Sequence, residues 1–351
     1  MIRVMVVDDS AVLRQSLKYV LESDPELKVV GEARNGEEAI VLAECLRPDI
    51  ITMDLRMPGM DGLDAISHIM AESPVPILVV TSIDLDQEAG IPSRATKLGA
   101  LSVLKRPVRI GSPEYQTFTA RLIEQVKLMS DVKVITRSRA ERPVPAASKE
   151  QWLTATPIRT SGTGHEIRIV AIGASTGGPA ALYQILGALP ADFPAPILVV
   201  QHISFGFVQG LSGWLDAACK LHVKVAENRE RIQPGTVYIA PDEHHMEAAY
   251  GRIRLTEGEP LNGHRPSVTV LLESAAKAYG SAAMGVILTG MGADGAMGMK
   301  ALRDTGATTL AQDEASCVVF GMPKEAIALG AIEHVVPLEY IAQTMTKLCM
   351  E

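Results

Sequence analysis

The sequence predicts an α/β protein of two domains: a doubly wound parallel sheet at the N-terminal end and a second parallel-sheet α/β domain after it. Three observations carry this. The chain has 351 residues, more than one hydrophobic core usually organises. Short apolar runs alternate with helical periods, first before and again after a stretch that has neither. Hydrophobic residues make up 47% and charged residues 21% of the chain, a balance that suits packed domains and argues against disorder.

In the first part, strands are predicted at Val4 to Val7, Lys28 to Gly31, Ile50 to Met53, Ile77 to Val80 and Leu101 to Leu104. Helical periods run from Ala11 to Glu22 and from Gly36 to Leu46, the second ended by Pro48. A further helix ends near Met129. Asp131 to His165 then carries no sustained apolar period and reads as a linker. The domains expected are 1–125, with 126–165 as helix end and linker, and 166–351. In the last of these, strands are predicted at Ile167 to Ile172, Ile197 to Gln201, Val237 to Ala240, Met284 to Leu288 and Thr308 to Ala311. Helices are predicted at Pro179 to Leu189, Val268 to Tyr279, Gly295 to Thr305 and Pro323 to Leu329.

Composition excludes several classes. A net charge of −8 argues against a nucleic-acid binder that relies on a basic face. Cys45, Cys219, Cys317 and Cys349 lie far apart, so neither a zinc site nor a disulfide framework is expected, and a reducing compartment is. Carboxylates follow the first strand too soon for a signal peptide, and no apolar run is long enough to span a bilayer. The expectation is a cytoplasmic protein with no membrane insertion, acting as a monomer.

Asp8 and Asp9 follow the first strand and Asp54 follows the third. In a doubly wound sheet those ends are neighbours, so three carboxylates converge and repel. Mg²⁺ resolves such repulsion, and Asp54 can then accept a phosphoryl group. Thr81, at the end of the fourth strand, can bond a phosphoryl oxygen, and a cation after the fifth would neutralise the remaining charge. Taken singly, Asp9 and Ser10 also read as caps of the next helix. The segments Val7-Asp8-Asp9-Ser10, Met53 to Gly62 and Val80-Thr81-Ser82 resemble a two-component receiver domain. The resemblance implies Asp54 as phospho-acceptor and Asp8 and Asp9 as Mg²⁺ holders. Receivers usually have an aromatic shortly before a Lys-Pro pair; here Val103 stands at the aromatic position and Arg106 before Pro107. Either Lys105 reaches in from a shifted register or Arg106 substitutes.

Ser175 lies in Gly173-Ala174-Ser175-Thr176-Gly177-Gly178-Pro179, directly after a buried-type strand. A glycine-flanked serine at such a turn presents its hydroxyl at the sheet top. The same turn also reads as a phosphate loop, although it lacks dinucleotide spacing and a following lysine. His202 ends the next strand, and Asp294 follows a glycine-rich turn after another, so all three fall at strand carboxyl ends. The order Ser, His, Asp differs from that of α/β-hydrolases. His202 and Asp294 also have plain readings, as a strand-end residue and a helix cap. His244-His245 is not expected to bind metal, because sequence neighbours on a strand point apart.

Longer segments carry a second resemblance: Ile172 to Pro179, Gln201-His202, Tyr238 to Pro241, His264 to Val268, Leu288 to Gly295 and Asp313 to Pro323. This half is similar to the catalytic domain of the chemotaxis protein-glutamate methylesterases. The resemblance implies Ser175, His202 and Asp294 as a triad and main-chain N–H groups near Thr176 and Met291 as oxyanion donors. It also implies methyl-accepting chemoreceptors as substrate, a chemotaxis histidine kinase as phosphodonor, and an unphosphorylated receiver that covers the esterase cleft. Similar members also deamidate receptor glutamines. Arg265 is a candidate for holding the anionic receptor surface, or else a surface salt bridge. Thr269 stands where the family usually has aspartate. The rivals are a serine hydrolase for another ester and a regulator whose second domain only binds a partner.

Overall fold

The computed structural model describes residues 1–82, 94–96, 98–107, 112–130, 166–203, 205–261 and 263–350. They fall into two compact units, one within Met1–Glu141 and the other within Arg142–Glu351. The expected linker, residues 131–165, lies outside the described residues.

In the first unit, β1 (Ile2–Val7), β2 (Leu27–Ala33), β3 (Ile50–Met53), β4 (Ile77–Thr81) and β5 (Ser102–Lys105) form a parallel sheet in the order β2-β1-β3-β4-β5. The order reverses between β1 and β3, which opens a crevice at their carboxyl ends. Helices Ala11–Leu21, Gly36–Leu46 and Gly62–Glu72 each begin where a short polar side chain accepts a main-chain N–H: Ser10 from Leu13, Asn35 from Glu38, Asp61 from Asp64. The third of these was absent from the sequence expectation. The helix Pro113–Ser130 buries Val126 and Met129 against the sheet, so this core extends past residue 125.

The second unit has a seven-stranded parallel sheet in the order β14-β13-β12-β6-β7-β9-β8. Its strands are β6 (Ile169–Ala174), β7 (Ile197–Gln201), β8 (His222–Val225), β9 (Thr236–Ile239), β12 (Ala283–Ile287), β13 (Thr308–Gln312) and β14 (His334–Val336). An antiparallel hairpin, β10 (His245–Ala249) with β11 (Arg252–Thr256), stands apart from it. Successive β6 side chains feed two cores. Val170 and Ile172 pack with Leu182, Ile185 and Ile341 on one face, Ile169 and Ala171 with Leu271, Leu272 and Met299 on the other. That alternation makes the sheet doubly wound. β6 lies between β7 and β12, so the strand order switches at β6 and its carboxyl end is where a ligand crevice forms.

Among the described residues no helix is long and apolar enough to cross a membrane.

Candidate active site

The crevice at β6 gathers Ser175, His202 and Asp294 from the ends of three adjacent strands. The Ser175 N–H donates to the Thr289 carbonyl at 3.0 Å, and the Gly178 N–H returns to the Ser175 carbonyl at 2.8 Å, closing a tight turn. Gly177 holds φ +79° at the start of the helix Gly178–Ala188, a left-handed conformation that favours glycine. Gly290 lets the β12 loop approach: a Cβ there would lie 2.7 Å from the Ser175 Cβ.

Gln201 ties the β6 and β7 ends together, its Nε2 donating to the carbonyls of Ser175 and His202, both at 2.8 Å. The resemblance includes Gln201 beside His202, but its clipping role exists only because the two strands are neighbours.

Asp294 is 3% exposed, yet its carboxylate accepts five hydrogen bonds. Oδ1 takes the Ser267 hydroxyl at 2.8 Å, the Thr269 N–H at 3.0 Å and the Thr269 hydroxyl at 2.7 Å. Oδ2 takes the Val268 N–H at 2.8 Å and His202 Nε2 at 2.9 Å. The charge sits at the N-terminus of the helix Val268–Tyr279, where main-chain N–H groups and the helix dipole favour an anion. Burial pushes the carboxyl upward, but the hydrogen bonds and charge of His202 and the Thr269 donors outweigh it and hold it well below the usual carboxylate range. Asp294 does not cap the helix that follows it, Ala296–Asp304; Gly295 does. Thr269, the departure from the family pattern, bonds directly to Asp294.

With Nε2 turned to Asp294, His202 keeps Nδ1 for another partner. That atom is buried and has no hydrogen-bond partner among the described residues, so the expected Ser175–His202 bond is not closed in this conformation. Such bonds commonly tighten only when substrate is bound. The His264 ring stacks on His202 at 4.1 Å between centroids. His202, His264 and Asp294 offer metal-ligand types close together, but a carboxylate with five donors has no lone pair to spare. The N–H groups of Thr176 and Met291 donate no hydrogen bond among the described residues, as oxyanion donors require.

Arg265 is engaged within its own domain. It pairs with Glu243 at 2.8 Å and donates to the Glu257 and Gly258 carbonyls at 3.3 and 3.1 Å. His244 and His245 do not share a strand, so the alternation expected of strand neighbours does not apply to them. His245 is buried at the start of β10, while His244 lies outside the strand with its Nδ1 2.8 Å from the Asp242 carbonyl.

In the first unit, Asp8, Asp9 and Asp54 bring carboxylate oxygens within 4.8 Å of one another. Asp8 is 1% exposed and its Oδ2 has no partner among the described residues; burial, with help from Asp54, raises its pKa to about 6. Burial also raises Asp54, against a hydrogen bond to the Leu55 N–H at 2.8 Å and another from Thr81. An orphaned buried carboxylate oxygen beside two more carboxylates fits a hard divalent cation. Ser10 does cap the following helix, and its N–H also holds Asp8 Oδ1 at 2.9 Å. Burial separates the two candidate cations. Lys105 ends β5 exposed, whereas Arg106 is 7% exposed and its charge lowers both Asp8 and Asp54.

A receiver-type sheet joined to an α/β domain with this crevice defines a class: response regulators whose output domain is a hydrolase. The family model described as CheB methylesterase matches residues 170–345, and that described as response regulator receiver domain matches residues 4–112. Protein-glutamate methylesterase/protein-glutamine glutaminase 1 of Syntrophus aciditrophicus (strain SB) is 46% identical over 99% of this chain and 98% of its own. The protein-glutamate methylesterase/protein-glutamine glutaminase of Nitrosospira multiformis is 45% identical over 100% of this chain and 98% of its own. The crystal structure of the Thermotoga maritima CheB methylesterase catalytic domain, 44% identical, covers 52% of this chain and 98% of that one with a TM-score of 0.50. The chain belongs to the CheB methylesterase family, chemotaxis esterases that carry a receiver domain.

Proposed function

We propose that the chain hydrolyses glutamyl γ-methyl esters on the cytoplasmic helices of methyl-accepting chemoreceptors, with Ser175 as nucleophile, His202 as base and Asp294 as its orienting anion. The observation that carries this is the Asp294–His202 bond at 2.9 Å, which leaves a buried, unpartnered Nδ1 at the crevice that holds Ser175. His202 Nδ1 takes the Ser175 proton as Oγ attacks the ester carbonyl. The ring then returns that proton to the leaving methoxide, releasing methanol and an acyl-enzyme. Water, deprotonated by His202, frees the glutamate carboxylate and restores Ser175. The N–H groups of Thr176 and Met291 receive the oxyanion, and losing one such donor costs ~3 kcal/mol of transition-state stabilisation. A γ-amide attacked in the same way releases ammonia, so receptor glutamine is a second substrate of the same machinery. Arg265 bears on the anionic receptor surface only by giving up Glu243.

Asp54 accepts the phosphoryl group from a chemotaxis histidine kinase, and Thr81 and Arg106 hold its oxygens. Asp8, Asp9 and Asp54 hold Mg²⁺, which when bound offsets the repulsion among these carboxylates and the phosphoryl group. Phosphorylation raises esterase activity.

The test is methanol release from methylated receptor membranes, with and without Mg²⁺ and a small-molecule phosphodonor. Release by the wild type and none by Ser175→Ala is expected; equal release by both would remove Ser175 from its role.

A further inference from the structure

We infer that His245 is a positioning residue for ester hydrolysis: a buried, neutral imidazole that sets Ser267 and, through it, the Asp294 carboxylate. The inference rests on the triad reading above. His245 is 3% exposed at the start of β10 and belongs to neither the triad nor the acidic site.

Two main-chain groups fix its state. The Ser267 N–H reaches Nδ1 at 3.2 Å, and an N–H can only donate, so Nδ1 carries the lone pair. Nε2 lies 3.1 Å from the Glu259 carbonyl, which can only accept, so Nε2 carries the hydrogen. Both partners select the same neutral tautomer. A protonated ring would aim an N–H at the N–H of Ser267, and an apolar side chain would leave that buried donor without a partner.

Ser267 passes this placement on. It is fully buried, caps the helix Val268–Tyr279, and donates its hydroxyl to Asp294 Oδ1 at 2.8 Å. The next two residues supply three more of the carboxylate's bonds. The cap that His245 grips is thus the start of the segment that encloses Asp294. The hairpin is docked on the same helix a second time, where the Ala248 N–H donates to the Ser274 hydroxyl at 2.9 Å, so β10 is a fixed platform for the imidazole. From His245 the chain of bonds runs through Ser267 and Asp294 to His202 Nε2. A shift of the cap turns the carboxylate, and with it the ring that must take the Ser175 proton.

The test uses the full chain and separates the two nitrogens. In His245→Asn the side-chain oxygen stands in for Nδ1 and keeps the bond from Ser267. In His245→Gln the amide stands in for Nε2 and loses that bond. Methanol release from methylated receptor membranes is expected to keep kcat within about threefold for His245→Asn and to lose about tenfold to a hundredfold for His245→Gln, with KM unchanged, since misplacement acts on the chemical step. The loss for His245→Gln is expected to shrink in a Ser267→Ala background, because the two changes cut one path. A low-field proton resonance from the His202–Asp294 bond, present in the wild type and His245→Asn and shifted in His245→Gln, gives a readout independent of substrate and of melting temperature. Equal kcat and an unmoved resonance in all variants would overturn the positioning role while leaving the triad intact. A wild type no more active than Ser175→Ala would overturn the triad reading and this inference with it. If His245→Gln does not fold, loss of the resonance and of kcat in a folded His245→Asn overturns the role, because that variant keeps the bond said to matter.

Discussion

The Thr269 hydroxyl has a single hydrogen, and its surroundings leave that hydrogen one direction. The oxygen accepts the Gly295 N–H at 2.8 Å and donates to Asp294 at 2.7 Å, so the hydroxyl is a dedicated donor to the carboxylate. Thr269→Val leaves the Gly295 N–H unpaired and is expected to cost ~1–3 kcal/mol of stability, read as a lower melting temperature, while Thr269→Ser keeps both bonds. The pH dependence follows from Asp294, whose folded carboxyl lies below its usual range through burial overridden by hydrogen bonds. A depressed carboxylate contributes stability above its unfolded pKa of roughly 3.9, and the contribution is lost as pH falls through the lower folded value. Melting temperatures of the wild type are therefore expected to lose this term as pH falls below the ordinary carboxylate range, and those of Thr269→Val to show a smaller acid-dependent loss that is complete at a higher pH. Asp294→Asn is expected to cut methanol release by roughly 10³–10⁴-fold, as loss of the orienting anion does in serine hydrolases. Ser175, His202 and Asp294 were legible in the sequence because each follows an apolar strand next to glycine or a strand end. Ser267 and Thr269 were not, since their role arises only where a helix N-terminus meets a loop from another strand. The resemblance marked Thr269 as a departure, but only the fold puts its hydroxyl on the triad carboxylate.

At the scale of elements, the end of β5 favours one of the two candidate cations for the acidic site. Lys105 pairs with Thr81 across β4 and β5 and stays exposed, while the next residue, Arg106, is buried and its charge favours the ionised forms of Asp8 and Asp54. Arg106→Ala is therefore expected to abolish or sharply slow activation by phosphodonor, and Lys105→Ala to leave it near wild type. Mg²⁺-dependent binding of beryllofluoride, followed by fluorescence or NMR, checks this; equal loss in the two variants would reject the register. Arg106→Lys tests whether one point charge suffices where a planar fork now stands. The five strands of the first sheet and the five inner strands of the second were readable as apolar runs, since parallel strands buried on both faces leave little else for their sequence to be, whereas the half-exposed edge strands β8 and β14 were not. The hairpin of β10 and β11 was not, because Glu247, Arg252 and Arg254 alternate with its apolar residues and break the run. The turn after β6 gives a further prediction. A Cβ at Gly178 would collide with Gln201 Oε1 and lie 2.8 Å from the Ala174 Cβ, so Gly178→Ala is expected to cost ~1–3 kcal/mol. Since Gln201 clips Ser175 to His202, activity should fall further than stability alone requires.

At the scale of the whole chain, every residue of the proposed triad comes from the second unit and every residue of the acidic site from the first. Chemistry and control are thus separable in principle, and a relative's catalytic domain, crystallised by itself, matches this one over 98% of its length. Residues 166–351 expressed alone are therefore expected to release methanol at a rate indifferent to Mg²⁺ and phosphodonor. In the full chain the two sites couple through a free energy, and linkage allows only as much activation as phosphorylation shifts that equilibrium. A coupling of ~1–3 kcal/mol corresponds to roughly fivefold to 150-fold. Methanol release by the full chain should rise within that range on adding Mg²⁺ and phosphodonor. In Asp54→Asn it should stay at the unphosphorylated level, since the amide cannot accept the phosphoryl group. The comparison of absolute rates then gives the sign of the control. If the isolated second unit is faster than the unphosphorylated full chain, the receiver restrains the esterase and phosphorylation relieves it. If it is slower than the phosphorylated full chain and equal to the unphosphorylated one, the receiver contributes an activating effect of its own. Activation that survives in Asp54→Asn would move the switch away from the carboxylate cluster at β1 and β3.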